Sequence, residues 1–420
     1  ALGPVFTFNL LMTLALALSA WSAFLVFRRY VASQVAAGVG GLLYGFSPYM
    51  VGHALGHLHL VLAVTPPLVL ALLDEILVRQ RTAPAWLGVA LGVLAAGQLL
   101  TAEELLASEL LVATAALALL VVLYRRHVRA HAAYAARALA VAAVVCLALA
   151  AWPLYVQFTG PGRPHTSIQP PGVAVTDLAN LVVPTRLQQF APAGAVALSD
   201  RFTGNLSEWD GYLGLPLLVL LEGVAVRWWR RPLVRVASLL ALGLAILSLG
   251  PRLHVAGRVT RVHLPWRAVE AVPVVYDLLP TRLMLYVVLL AGLLVAVFAD
   301  AVGRLAERRR RALGTAALVL ALVPLLPRSP APSTSLAVPP FFTQAVRRIP
   351  QGGVALVAPF AHYPPSVAPM LWQAQSGMRF RMPEGYFVGA DAAGRAQFGP
   401  TETPVSQAME AIQAGAPHPR

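Results

Sequence analysis

The sequence predicts an all-α polytopic membrane protein, and three observations support this prediction. Hydrophobic residues make up 58% of the 420 and charged residues only 12%, with a mean hydropathy of +0.69. Soluble domains carry about 25% charged residues, so the charges are too few to cover a soluble protein of this size. About ten apolar segments approach the length that crosses a bilayer. Arginine is concentrated in every second loop between them.

The predicted membrane helices are apolar stretches near 20 residues, the length that spans about 30 Å of hydrocarbon. They cover roughly residues 5–27, 32–48, 60–77, 84–100, 105–124, 134–157, 212–226, 234–250, 282–300 and 312–327. Together they predict a transmembrane helical domain over 1–327, with outer loops at 158–211 and 251–281.

The arginine distribution predicts the orientation. All 32 basic residues are arginine. Clusters such as Arg28–Arg29 and Arg308–Arg311 fall in alternate loops, whereas the loops at 49–59 and 101–104 contain no arginine. Short cytoplasmic loops carry the positive charge, so we expect residue 1 and the C-terminus outside a plasma membrane. The net charge of +14 then orients the helices, and a nucleic-acid partner is excluded.

Two absences remove whole classes of mechanism. Without lysine the chain has no Walker A phosphate loop and no Schiff base for PLP. The single cysteine, Cys146, excludes an intrachain disulfide. We therefore predict no cofactor, and a divalent metal stays open as an alternative that no motif supports. The first apolar run starts almost at Ala1, and the orientation requires an inside-to-outside helix before it. We expect a first helix and a first outer loop to precede this residue.

Residues 328–420 are predicted to form a small extracytoplasmic α/β appendage. The segment opens with a linker rich in proline and serine at 328–335 and ends in a stretch at 415–420 that we expect to fray. Between them we predict a helical stretch near 340–348, an apolar strand at Val354–Val357 and an amphipathic stretch near 366–376.

Three histidines form a polar cluster on the predicted outer side: His53, His57 and His59. If residues 52–58 are helical, His53 and His57 share one face, a spacing that can hold a phosphate or a metal. The cluster contains no acid and HExxH is absent, so we predict no metal site and assign the three residues to substrate binding. Interfacial histidines that cap helix ends and bind water remain an alternative.

A second polar cluster places acids at a predicted helix boundary. Glu103 and Glu104 end the outer loop and begin the next helix. A carboxylate at membrane depth costs roughly 2.5–3.5 kcal/mol on insertion scales, so such groups usually face a cavity or a partner. We predict both as candidate catalytic residues. Acids that complement the dipole of a helix N-terminus explain the pair equally well.

Arginine and aromatic residues gather near the ends of predicted membrane helices. Arg186 and Arg282 each follow a Pro-Thr pair, and a planar guanidinium suits a phosphate. Trp209 and Asp210 belong to a Trp-Asp-Gly-Tyr run that can stack on a sugar and accept its hydroxyl protons. We predict that all four bind substrate. The alternative for each is an interfacial aromatic belt with snorkelling arginines.

Several short motifs are similar to those of one family of membrane enzymes. They are the runs Gly40–Leu58, Thr65–Leu68, Asn180–Arg186, Trp209–Gly214 and Leu279–Leu283. With the hydropathy layout, they resemble actinobacterial-type glycosyltransferases of the GT-C class over most of the chain. The resemblance implies a polyprenyl-phosphate donor, membrane lipids as surroundings and an envelope glycan, lipid or protein as acceptor.

The same class usually takes its catalytic base from the first outer loop, which in this chain would precede Ala1. Glu103 and Glu104 therefore match the expected base by location only. A second hypothesis is a non-catalytic lipid or polymer exporter or envelope assembly factor, since related YfhO-like membrane proteins have this architecture without an assigned reaction. A third is a metal-assisted phosphatase that uses the histidine cluster.

Overall fold

The computed structural model describes residues 3–169, 172–270, 272, 277–361, 367–413 and 415. The helices are α1 (Pro4–Phe27), α2 (Gln34–Gly45), α3 (Pro48–His53), α4 (Leu58–Val61), α5 (Thr65–Asp74), α6 (Pro84–Thr101), α7 (Glu103–Thr159), α8 (Ala193–Ser199), α9 (Leu215–Arg227), α10 (Pro232–Ser248), α11 (Trp266–Val269), α12 (Met284–Gly303), α13 (Arg308–Leu322), α14 (Ala368–Gln375) and α15 (Pro404–Gln413). The strands are β1 (Arg252–Val255), β2 (Arg258–His263), β3 (Val388–Ala390) and β4 (Ala396–Phe398).

The chain forms two compact units. The first contains residues 1–153 and 171–331, and the second contains 154–170 and 332–420. The first unit is mostly helical, with the β1–β2 hairpin as a small addition. The second unit contains the β3–β4 hairpin and the last two helices.

Five helical segments among the described residues are long and apolar enough to cross a membrane: Pro4–Phe27, Leu58–Arg79, Pro84–Thr101, Glu103–Thr159 and Pro280–Gly303. Each of the predicted apolar segments contains a helix, but α2, α9, α10 and α13 are shorter than these five. The structure therefore supports a multi-pass membrane protein.

The helix α7 differs from the prediction of two separate spans at 105–124 and 134–157. It has 57 residues, or about 85 Å at 1.5 Å per residue, which is far longer than one crossing of a bilayer. Non-helical backbone angles at Tyr124 divide it into two parts. The arginine-rich stretch after Tyr124 is helical instead of forming a loop, because it lacks proline and glycine and arginine is a good helix former.

The first unit is built around α12. This helix belongs to the span Pro280–Gly303, and 83% of the apolar part of that span is buried inside the protein. Glycines let the neighbouring helices approach it. A Cβ at Gly292 would lie 2.7 Å from the carbonyl oxygen of Gly40 in α2. On another side of α2, a Cβ at Gly41 would lie 2.8 Å from the carbonyl oxygen of Ala20 in α1. Such contacts between small residues are typical of packed membrane helices.

The connections at 158–211 and 251–281 contain short helical turns and the antiparallel β1–β2 hairpin. Asp177 ties the hairpin to the first connection. Its carboxylate accepts hydrogen bonds from the backbone N–H groups of Ala256 and Gly257, both at 2.8 Å. Side-chain bonds to the backbone therefore join the described parts of the two connections.

The second unit has its own small apolar core of Phe342, Val346, Val357, Trp372 and Phe380. The rings of Phe342 and Trp372 stack with centroids 5.1 Å apart. The helical stretches predicted near 340–348 and 366–376 are confirmed.

The strand predicted at Val354–Val357 is wrong. The structure has a single parallel bridge between Val354 and Arg381 in its place. At the other end, the backbone N–H of Val357 donates to Oε1 of Glu384 at 3.0 Å. A side chain therefore takes a hydrogen bond that a neighbouring strand would otherwise accept. The predicted frayed end, 415–420, lies outside the described residues except for Gly415.

We expect Gly41→Ala to destabilise the membrane domain by about 1–3 kcal/mol, because the added methyl group overpacks the contact with Ala20. Gly38 is the matched control, since it lies on the same helix and a Cβ there would meet no atom within 4 Å. Thermal unfolding in detergent measures both variants. Equal melting temperatures for Gly41→Ala and Gly38→Ala would contradict the helix contact.

Candidate functional site

Polar side chains from four segments of the first unit meet in one buried cluster. It consists of Arg282, Glu104, Glu208, Asp210 and His53, and we call it the Arg282 cluster. His53 is fully buried, and Asp210 and Glu208 are only 1% and 4% exposed. Acidic side chains are almost never this buried unless they are paired. Their partners therefore decide what the cluster can do.

Helix α3 carries His53 to the cluster. The side chain of Ser47 caps the first turn of this helix, which satisfies a free backbone N–H group. A Cβ at Gly52 would lie 3.0 Å from the carbonyl oxygen of Ser207. The glycine beside His53 therefore lets α3 lie against the segment that contains Glu208.

Two asparagines shape the segment that carries the two acids. Oδ1 of Asn205 accepts a hydrogen bond from the backbone N–H of Ser207 at 3.0 Å. Oδ1 of Asn180 accepts one from the backbone N–H of Gly211 at 2.8 Å. Asparagine side chains therefore hold both ends of the segment 207–211. Such hydrogen bonds from the backbone to an asparagine side chain are common in turns.

Arg282 joins two carboxylates from distant parts of the chain. Its Nη2 donates to Oε1 of Glu208 at 2.9 Å, and its Nη1 donates to Oε2 of Glu104. Glu104 also accepts the backbone N–H of Leu279 at 3.3 Å. The side chain of Arg282 is 11% exposed and that of Glu104 is 24% exposed. Charge-assisted bonds to a guanidinium are among the strongest in proteins.

The two carboxylate oxygens of Asp210 have different surroundings. Oδ1 accepts a hydrogen bond from the hydroxyl of Thr281 at 2.7 Å. Oδ2 lies 3.3 Å from Nε2 of His53, yet neither atom has a hydrogen-bond partner of acceptable geometry among the described residues. Burial raises the pKa of Asp210. Burial, followed by the charge of Arg282, lowers the pKa of His53.

The expectation of one helix over 52–58 is wrong: α3 ends at His53, and α4 begins only at Leu58. His57 lies just before α4 and His59 lies within it, so a shared helix face does not bring the three histidines together. The ring centroids of His53 and His57 lie 5.3 Å apart, and those of His57 and His59 lie 6.0 Å apart. Burial, followed by the charges of Arg282 and His59, lowers the pKa of His57 to about 4. His57 is therefore neutral at pH 7, so it can offer an anion a hydrogen bond but no charge.

The remaining predicted site residues make other contacts. Arg186 pairs with Asp200, outside the Arg282 cluster, and lines a cleft of about 610 Å³. The indole N–H of Trp209 donates to the carbonyl oxygen of Thr203 at 2.9 Å. Glu103 is exposed at the start of α7.

Sequence reasoning missed three members of the site: Glu208, Thr281 and Tyr49. Glu208 directly precedes the predicted residues Trp209 and Asp210, and Thr281 directly precedes Arg282. Their positions next to predicted site residues could have indicated that they belong to the site. The ring of Tyr49 lies 4.3 Å from that of His53, and its buried hydroxyl has no hydrogen-bond partner among the described residues. Both residues lie in α3 at the i, i+4 spacing that places two side chains on one helix face, so this spacing was the available signal.

The chain belongs to a family whose model is described as a domain of unknown function, DUF6311, and which matches residues 3–323. A search of curated proteins finds no match. The matched range includes the whole Arg282 cluster. The description of the family names no reaction, so the residues of the cluster must carry any argument about function.

We expect the pKa of His57 to be about 4 in the folded protein. Arg282→Gln removes a nearby positive charge and should raise this pKa towards the ordinary value of about 6.5. NMR titration of labelled histidine in detergent measures both values. Arg235→Gln serves as control, because Arg235 stacks on Trp229. A wild-type pKa near the ordinary value would contradict the burial of this ring.

Proposed function

We propose that this protein is a membrane-embedded glycosyltransferase that moves a sugar from a polyprenyl-phosphate donor to an extracytoplasmic glycan, lipid or protein. The observation that carries the proposal is the cluster around Arg282. It places a nearly buried guanidinium and several acids at the start of the most buried candidate span. A lipid-linked phosphate lies at the end of the hydrocarbon region, where such a group can bind it.

The proposal includes a finer topology. We infer about ten spans, with α2, α9, α10 and α13 as the shorter ones and with the arginine-rich loops in the cytoplasm. In this orientation the Arg282 cluster and residues 328–420 face the outside of the plasma membrane. Nucleotide sugars are scarce there, so a donor linked to a membrane lipid suits a chain without a nucleotide-binding motif.

The donors of Arg282 leave room for a phosphate. A guanidinium has five N–H groups that can donate hydrogen bonds. In the described structure three of those of Arg282 donate to Glu104 and Glu208. The other two are available to phosphate oxygens, and His57 and His59 add further polar atoms on the same side. These groups would stabilise the charge that develops on the departing lipid phosphate. Arg186, which lies in a separate cleft, takes no part in this step.

We assign the role of base to Glu104, because its side chain is more exposed than that of Glu208, at 24% against 4%. It takes the proton of the acceptor hydroxyl. The acceptor oxygen then bonds to the anomeric carbon of the sugar, and the bond from that carbon to the phosphate oxygen breaks. Polyprenyl phosphate leaves, and attack from the opposite face inverts the anomeric centre. Trp209 offers an aromatic face for the sugar.

A second candidate is a non-catalytic exporter or envelope assembly factor, and a specific observation favours it. Two carboxylates already neutralise Arg282, so the cluster can brace the helix ends without any substrate. Neither of two clefts, of about 610 and 390 Å³, is lined by the cluster. A donor would therefore have to enter between the helix ends.

We expect Glu104→Gln to reduce sugar transfer by about 10²–10⁴-fold, the usual contribution of a general base. Glutamine keeps an oxygen that can accept from Arg282 but cannot take a proton. The assay uses the purified chain in vesicles with a panel of polyprenyl-phosphate sugars, and mass spectrometry detects the product. Glu307→Gln is the control, since Glu307 pairs with Arg310 on an exposed surface.

Glu103→Gln is measured in parallel, because it distinguishes the two adjacent acids. Loss of transfer in Glu103→Gln with normal turnover in Glu104→Gln would move the base to Glu103. Normal transfer in both variants would remove these acids from the mechanism. Vesicles that move the lipid-linked sugar across the bilayer without forming a glycosidic bond would favour the exporter over the enzyme.

A further inference from the structure

One imidazole and two carboxylates of the Arg282 cluster lie close together. Each of His53, Glu208 and Asp210 offers one ligand atom, and these atoms all lie within 4.8 Å of one another. All three residues are buried. We propose that they bind a divalent transition-metal cation, such as Mn²⁺ or Zn²⁺. The proposal rests on these residues alone and does not depend on the glycosyltransferase assignment.

Unsatisfied atoms at this point are the first argument. Nε2 of His53 and Oδ2 of Asp210 are buried, lie 3.3 Å apart and have no hydrogen-bond partner among the described residues. A buried polar atom without a partner lowers the stability of the folded protein. Metal–ligand bonds of about 2.0–2.2 Å place neighbouring ligand atoms about 3.0–3.6 Å apart. The observed separation therefore already suits two ligands of one cation.

Charge balance is the second argument. A bound cation displaces the protons of its carboxyl ligands. In the occupied cluster Glu104, Glu208 and Asp210 therefore bring three negative charges, and Arg282 brings one positive charge. The remaining two negative charges lie in surroundings that are largely closed to water. Uncompensated charge in such a place is costly, and a single divalent cation balances it.

Among the described residues, the hydrogen bonds around the three ligands leave one oxygen of Asp210 without a partner and hold one oxygen of Glu208 only by a long bond. Thr281 holds Oδ1 of Asp210 at 2.7 Å, which leaves Oδ2 towards His53. Arg282 holds Oε1 of Glu208 at 2.9 Å but approaches Oε2 only to 3.5 Å. Ligating carboxylates are commonly oriented in this way by further hydrogen bonds. The arrangement thus resembles a prepared set of ligands more than a structural ion pair.

The donor set decides the class of metal. Imidazole nitrogen suits zinc and other transition metals, whereas carboxylate oxygens suit manganese and magnesium. A site with one nitrogen and two oxygens therefore favours Zn²⁺ or Mn²⁺ over Ca²⁺, which takes six to eight oxygens. Three protein ligands leave coordination positions for water or an anion. The sequence predicted no metal site at the histidines, because no acidic residue lies near them in the chain. In the folded protein Glu208 and Asp210 lie beside His53 and provide the acidic ligands.

The test uses the full chain in detergent, stripped with a chelator and then titrated with Mn²⁺ or Zn²⁺ in a calorimeter. We expect about one cation per chain. His53→Gln and Asp210→Asn should each weaken binding by at least about tenfold. His254→Gln is the matched control, because His254 is also buried but contacts the hydroxyl of Thr203. This variant should bind the cation as the wild type does.

A second measurement needs no variant. Pulsed electron paramagnetic resonance of the Mn²⁺-loaded wild-type chain should detect coupling to a histidine nitrogen. Absence of this coupling together with no heat of binding for Zn²⁺ would overturn the proposal. So would equal affinity in the wild type and in folded Asp210→Asn, since the cation would then bind elsewhere. Circular dichroism of each metal-free variant verifies that it is folded.

Discussion

A guanidinium buried between two carboxylates fixes how the membrane helices meet. Arg282 stands just before α12 and binds Glu104, which is 178 positions away at the start of α7, and Glu208, which is 74 positions away in a connecting segment. Moving such charges out of water costs several kcal/mol per ion, and only good geometry recovers it. The ends of α7 and α12 must therefore stay where both acids reach the arginine. A shift of either helix end would break at least one ion pair.

The helix packing below the cluster supports this arrangement. Gly40 and Gly292 let α2 and α12 approach until backbone atoms are nearly in contact, and lipid tails offer no hydrophobic gain for such contacts. Close van der Waals packing must therefore hold α12 in the centre. A centrally fixed α12 in turn holds Arg282 at a constant depth. The apolar and polar parts of the first unit thus depend on each other.

Composition predicted the membrane class because a bilayer requires long apolar helices, which few other structures share. The same reasoning wrongly predicted a loop after Tyr124, where the structure has a helix. The arginines there indicate which side of the membrane the segment faces, but arginine does not end a helix. For the site, polar residues near helix ends stand out in an apolar chain, which identified His53, Asp210 and Arg282. Their contact with Glu208 depends on the packing of α3 against a connecting segment, and no local sequence pattern reports that packing.

The cluster contains more polar groups than a structural brace requires. One arginine and one or two acids are sufficient to link helix ends, yet His53, Asp210 and Tyr49 add further buried polar atoms without partners among the described residues. In a membrane protein such groups are costly and usually functional. Arg282 and Glu104 explain how the helices are held together. The unsatisfied atoms on the side of His53 take no part in that contact, and this side of the cluster is therefore where we propose that a ligand binds.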